Sequence, residues 1–339
     1  MTGLWLALAL AACRTDSGAD DPRPIERRLT LAAYTTPREA YRQAVLPAFA
    51  AQWKRQTGET VAFEESYQPS GAAARAVTEG LEADVVALAL ATDLEAVQRA
   101  GLITHDWESG PTNGIVTTTL AVIAVRPGNP KQIGNWSDLA RESVDVVAPN
   151  ARTSGGARWG VLAVYGSAIR GHTGFAAGDS ARAEALLADV FGRVVVMDKG
   201  ARESLVTFET GVGDAAITYE NEVLVARAEG VAMDYVVPSS TILIENPMAV
   251  VDTYARKHGN EELAAAFVAF CQSPEAAALY ARFGLRPAAP GDAVGGLPRP
   301  PDLFTVRDLG GWPVVTQTLF EKGALVDRAL ARVQRERGN

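Results

Sequence analysis

From Leu29 onward the chain alternates between short apolar runs and stretches with apolar residues at helical spacing. This alternation limits the fold more than any other feature. Residues 29–34, 61–65 and 84–90 read as strands, and 39–57, 71–80 and 94–100 as helices between and after them. In 39–57, Tyr41, Val45, Leu46, Phe49 and Trp53 recur on one helical face, and Gly58 supplies a C-cap. The continuous apolar run 84–90 suits a strand covered on both faces. Strands at 117–125, 144–148, 194–197, 215–218, 235–238 and 248–251 follow, with helices at 157–169, 181–191, 202–210, 221–228, 261–270 and 274–283. A short helix opens at Trp136, and the last helix reads as charged and solvated. Strands alternating with helices define an α/β chain with mixed, mostly parallel sheets flanked by helices. At 339 residues it is long enough for two lobes.

Composition removes several kinds of function. The formal net charge is -8, which argues against a protein that holds nucleic-acid phosphates. The only His and Cys residues are His105, His172, His258, Cys13 and Cys271. They are too few for a Cys- or His-rich metal cage or a disulfide framework, so no metal and no cofactor are expected. Cys271, in Phe267-Val268-Ala269-Phe270-Cys271, reads as a buried small hydrophobe. His105 and His258 read as solvated. The chain has no Gly-x-Ser-x-Gly elbow, no phosphate-binding Gly-x-x-x-x-Gly-Lys loop and no His-Glu-x-x-His helix, which argues against an enzyme.

The first residues set the compartment. Residues 1–12 are rich in Leu and Ala and carry no charged side chain. The segment is shorter than the roughly 20 apolar residues that cross a bilayer, and it reads as the apolar part of a secretory signal. It ends Leu10-Ala11-Ala12-Cys13, which resembles a bacterial lipobox. The resemblance implies cleavage before Cys13 and lipid on its thiol, with 13–27 as a flexible tether. Membrane contact would then run through the lipid alone.

Three times the chain enters a helix through small residues: Pro69-Ser70-Gly71-Ala72, Thr153-Ser154-Gly155-Gly156-Ala157 and Lys199-Gly200-Ala201-Arg202. A helix N-terminus presents unpaired N–H groups at its positive end, and small residues let a ligand approach them. Each junction alone is an ordinary cap. Three in one two-lobed α/β chain point to a shared small anion, because ligands in open α/β sheets sit where strands give way to helices. Ser70 and Ser154 add hydroxyl donors. Arg158 and Arg202, in the first turns of their helices, read either as charges that brace the loops or as solvated side chains.

With these motifs the sequence resembles the periplasmic sulfate-binding proteins of ABC importers, over about residues 29–328. The resemblance is carried by Tyr34-Thr35-Thr36-Pro37-Arg38-Glu39, by 82–89, by 125–133, by Ser154-Gly155-Gly156-Ala157-Arg158-Trp159, by Gly200-Ala201-Arg202, by Gly213-Asp214 and by Tyr219-Glu220-Asn221-Glu222. It implies the two-lobed type II periplasmic-binding fold, with lobe 1 at 28–114 and 243–339, lobe 2 at 115–242, and the ligand between them. It also implies an envelope location, a monomer, and an ABC permease with its cytoplasmic ATPase as partner. The implied sulfate contacts are Ser70 N–H, the Ser154 hydroxyl, the N–H groups of Gly155, Gly156 and Ala201, and Tyr219, with Thr35 beside them. Two positions depart from the family: Tyr219 stands where Trp is usual, and Thr35 where an early Asp is usual.

Sulfate carries no proton near neutrality, so a site of donors alone satisfies all its oxygens. Phosphate keeps a proton that needs an acceptor; the Tyr219 oxygen can accept, and Glu220 or Glu203 could do the same if turned inward. Glu203 and Glu220 are expected to face outward or pair with Arg. Other readings are a receptor for thiosulfate, molybdate or phosphate, or a signalling lipoprotein on the same fold.

Overall fold

The structure is a computed structural model that describes residues 26–288 and 296–338. The signal, most of the tether and Cys13 lie outside the described residues. Among the described residues there are eleven strands: β1 (Glu26–Tyr34), β2 (Thr60–Gln68), β3 (Val85–Ala87), β4 (Ile115–Val125), β5 (Val146–Pro149), β6 (Val194–Asp198), β7 (Ala215–Tyr219), β8 (Asp234–Val236), β9 (Ser240–Val250), β10 (Arg286–Pro287) and β11 (Asp302–Phe304). They connect in the order β2-β1-β3-β9-β4-β7-β5-β6, with β8 and β10 on β4 and β11 on β9.

The two long strands join the halves. The end of β9 runs antiparallel to β3, its middle pairs with the start of β4, and the end of β4 runs antiparallel to β7. Around them β2, β1 and β3 run parallel in one half, and β6, β5 and β7 in the other. The all-buried β5, Val-Val-Ala-Pro, fits a sheet covered on both faces. The apolar helix Gly155–Ile169 is buried nearly all round, as a central helix must be.

Helices pack on both faces of each half. One cluster joins Leu29, Leu31 and Val85 to Phe49, Phe267, Phe270 and Tyr280. A second joins Val86, Leu88, Leu94 and Trp107. In the other half, Trp136, Trp159, Leu162 and Leu187 lie on one face, and Leu205, Phe208 and Val223 on the other. Cys271 is buried and free. No single described helix is long and apolar enough to cross a membrane.

Several sequence expectations change. The strand expected at 248–251 begins at Ser240, because Glu245, Asn246 and Pro247 interrupt its apolar pattern while the backbone continues. Asp252–His258 is a further helix, too short and charged to show periodicity. The last helix, Leu325–Gly338, is not merely solvated: Leu325, Val326, Ala329 and Val333 are buried against the helix Ser180–Gly192.

The lobe assignment of 243–339 changes too. Its segment 302–338 packs on the second half. β11 pairs with the start of β9, Phe304 and Val306 join the Trp159 cluster, and Trp312 meets Trp159 edge-on with ring centroids 5.2 Å apart. These side chains are buried against that half, which the linear order of the chain does not reveal.

Candidate functional site

The candidate site lies where strands end and helices begin. β2 ends at Gln68, and Pro69 precedes the helix Ser70–Thr78. β5 ends at Pro149, and a tight turn with Ser154 N–H bonded to Asn150 O (2.9 Å) delivers Ser154 as N-cap of Gly155–Ile169. β6 ends at Asp198, and extended Gly200 caps Ala201–Glu209 without a side chain. β7 ends at Tyr219, itself the N-cap of Glu220–Ala228. This fourth helix start has no small-residue signature. In the sequence it shows only through the Tyr219-Glu220-Asn221-Glu222 motif.

Four of the expected residues meet around one point. A Cβ built on Gly156 would stand 2.7 Å from the Ala201 Cβ and 3.4 Å from both Ser154 Oγ and Tyr219 Oη. Gly is needed here for close approach, not for a left-handed backbone. Ser154 Oγ accepts the Ala157 N–H at 3.3 Å, which leaves its own proton to donate. Tyr219 is 2% exposed, and its hydroxyl has no hydrogen-bond partner among the described residues. Burial pushes the phenol pKa well up, so the hydroxyl keeps its proton.

The first half closes over this point. A Cβ on Gly155 would meet the Ala89 Cβ at 2.9 Å and Leu90 Cγ at 3.1 Å. One on Gly71 would lie 3.7 Å from Thr153 O, and one on Gly200 3.2 Å from Pro69 Cγ. Trp159 Nε1 donates to Ala89 O across the same seam (2.8 Å). The Ser70 hydroxyl is committed elsewhere: it donates to Asp93 Oδ2 (2.6 Å) and accepts the Ala89 N–H (2.9 Å). Ser70 therefore keeps only its peptide N–H for a ligand, and the expected hydroxyl donor at this position is corrected. Burial raises the Asp93 pKa, against the pull of Ser70, Arg158 and Arg75. A cavity of ≈ 160 Å³ lined by Gly71, Arg75, Asp93, Ser154, Gly155 and Arg158 opens beside the meeting point.

The charged residues form a rim. Arg202, one residue past Ala201, places Nε 2.8 Å from Glu222 Oε2 and Nη2 2.7 Å from Glu39 Oε2. It joins a fully buried carboxylate of its own half to one in the other half. Burial opposes the Arg202 charge, but Glu222 and Glu39 outweigh it. Glu222 is held up at about 7, chiefly by burial, while Arg202 and Thr36 pull it down. Glu220 turns away from the cleft and is gripped bidentately by Arg286 (2.8 and 2.9 Å), the Arg pairing expected for it. Arg158 is not solvated either: it donates to Ala151 O (3.3 Å) and lies over Phe320. His258 is likewise paired, with Asp84 (2.8 Å) and Glu82 (3.2 Å), and His105 with Asp252 (2.8 Å).

Thr35 lines a groove of ≈ 500 Å³ with Arg38, Glu39, Tyr67, Asp198 and Arg202.

Two α/β lobes joined by crossing strands, with helix starts from both facing one cleft, define a binding protein of the periplasmic type. The profile described as "Bacterial extracellular solute-binding protein" matches residues 29–286. The chain is 41% identical over 329 residues to the "Sulfate-binding protein" of Synechococcus elongatus, covering 95% of this chain and 92% of the relative. It is 38% identical over 308 residues to the "Sulfate-binding protein" of Escherichia coli K12, covering 88% and 92%. The structure of "The sulfate-binding protein SubI from Mycobacterium tuberculosis H37Rv" superimposes with a TM-score of 0.78 at 33% identity, covering 87% of this chain and all of that one. The chain belongs to the bacterial extracellular solute-binding proteins, a family of receptors rather than catalysts.

Proposed function

We propose that this protein captures sulfate in the cleft and delivers it to the permease of an ABC importer. The observation that carries the reading is the meeting of Gly156, Ala201, Ser154 and Tyr219 around one point, roofed by the Ser70 helix start and Ala89-Leu90. Helix N-termini and hydroxyls there offer donors to an anion, and hydrogen bonds to a charged acceptor are the strong ones. The names of the relatives point to sulfate among the tetrahedral anions. In this reading the implied donors are the N–H groups of Ser70, Gly155, Gly156 and Ala201 and the hydroxyls of Ser154 and Tyr219. Thr35 stands beside these donors.

Sulfate meets one lobe, the hinge strands let the other swing in, and the water shell is exchanged for fixed donors. The closed form is the one presented to the permease, whose ATPase supplies the energy. The protein works as a monomer, tethered by lipid on Cys13 at the outer face of the envelope.

Isothermal titration of the purified, dialysed protein tests the ligand. Tight sulfate binding that Gly156→Val weakens on the order of 100-fold is expected. Undiminished binding in that variant, or no binding in the parent, overturns the reading. Cys13→Ala tests the anchor: labelled fatty acid should be incorporated by the parent and not by the variant, and no incorporation by the parent would exclude lipid on Cys13.

A further inference from the structure

Sulfate has no proton to give, so a cage for sulfate has no use for an acceptor. The peptide N–H groups of Gly155, Gly156 and Ala201 only donate. Ser154 Oγ already accepts the Ala157 N–H, and Ser70 Oγ both accepts from Ala89 and donates to Asp93. Tyr219 Oη differs. It is buried, it touches the Gly156 point, and no described group donates to it or accepts from it. A phenol in that position can donate or accept.

A phenol O–H turns about its C–O bond, so with its proton turned away from the Gly156 point an oxygen lone pair faces the cage. We propose that Tyr219 makes this cage a receptor for singly protonated tetrahedral dianions as well as for sulfate, monohydrogen phosphate being the simplest. This rests on the reading of the cage as a sulfate site. Monohydrogen phosphate has the charge and shape of sulfate plus one proton, and Tyr219 supplies the acceptor that this proton requires. In a cage of donors alone the same proton would face an N–H, and both would be buried without a partner.

The test is titration of the dialysed protein with sulfate and with inorganic phosphate, at a mildly alkaline pH where phosphate is mainly the monohydrogen dianion. The parent should bind both, with phosphate displacing sulfate. Tyr219→Trp replaces the phenol with an indole, which only donates. It should keep sulfate and lose phosphate by roughly tenfold or more, the effect of one buried proton left without an acceptor. Tyr219→Phe serves if the indole does not fold, and it should weaken phosphate more than sulfate. Sulfate binding with no phosphate binding in the parent overturns this inference and leaves the sulfate reading standing. Phosphate binding that survives Tyr219→Trp or Tyr219→Phe unchanged also overturns it. A parent that binds phosphate but not sulfate overturns the sulfate reading, and one that binds neither overturns both.

Discussion

The cage and its rim handle negative charge in opposite ways, one residue apart. Ala201 turns the start of its helix toward the Gly156 point, while Arg202 carries its guanidinium away to Glu222 and Glu39. The cage gathers peptide N–H groups and hydroxyls. The rim gathers full charges and pairs them with one another. Peptide donors are held rigidly by their helices and cannot swing to a rival partner. A guanidinium can, and here two carboxylates already occupy it. Under the proposed reading the receptor keeps its cations for bracing the loops and leaves the ligand to backbone dipoles.

Crowding the cage should have the largest effect. In Gly156→Val the added Cβ would fall 2.7 Å from the Ala201 Cβ. Overpacking of this kind costs about 3 kcal/mol where the wall cannot yield, or on the order of 100-fold in Kd. Titration calorimetry should show sulfate affinity falling by that factor, with the circular dichroism spectrum retained. Full affinity would mean that the cage is elsewhere.

Breaking the rim should act on stability first. Arg202→Met leaves Glu222 buried without its cation, a loss of about 2–3 kcal/mol for a pair whose Arg is partly exposed. The deficit should shrink as the pH falls, because protonated Glu222 needs no counter-charge. The parent has a related pH dependence. Glu222 titrates at about 7 in the fold against an ordinary 4.5, so the folded state binds more protons between those values. Its contribution therefore grows as the pH falls from about 7 toward 4.5. His258 acts in the same direction: burial opposes its charge, yet Asp84 and Glu82 raise its pKa above 6.5. Its contribution is complete below 6.5 and is lost as the pH rises through the raised value. Asp252 and Asp302, whose pKa values are lowered, lose their contributions only as the pH falls below the carboxylate range. Thermal melts across pH should place maximum stability between the carboxylate and histidine ranges. A maximum above neutrality would contradict the burial of Glu222.

Glu39→Gln separates the two duties of Arg202, since it removes the charge from the contact between lobes and leaves Glu222 paired. A half-buried pair is worth about 0.5–1 kcal/mol. Stopped-flow measurement should find sulfate leaving a few-fold faster, with little change in melting temperature. An unchanged release rate would show that the pair does not hold the lobes together.

The cage was more legible in the sequence than the rim, for a physical reason. Ser154-Gly155-Gly156 and Gly200-Ala201 announce themselves because capping and close approach are local: the residues that make a helix start also sit beside it. Arg202 meets Glu39 across 163 positions, and Ser70 meets Asp93 across 23, with nothing nearby to mark either partner. The same contrast governs the fold. The helix Gly155–Ile169 and strand β5 follow their apolar patterns. The first half of β9 does not, because its polar residues are buried by partners that come from elsewhere in the chain. The tail 302–338 shows charge at close range and reveals its apolar face only when the second lobe is there to receive it.

The smallest expected effect has the most diagnostic sign. Tyr219 buries a hydroxyl that has no partner among the described residues, and such a group costs stability rather than adding it. Tyr219→Phe removes that cost and keeps the ring in the buried cluster that also holds Tyr34, Ala121 and Ile217. The ligand-free variant should therefore melt at the same temperature as the parent or slightly higher, a gain of up to about 1 kcal/mol. In the presence of sulfate the order should reverse, because the parent gains a hydrogen bond to the anion that Phe cannot make, and ligand binding stabilises in proportion to affinity. A residue held for packing alone would show no such crossing. If the ligand-free variant melts well below the parent, the hydroxyl has a structural partner and is not reserved for the ligand. The rim should show no crossing of this kind, because Arg202→Met lowers stability whether or not sulfate is bound.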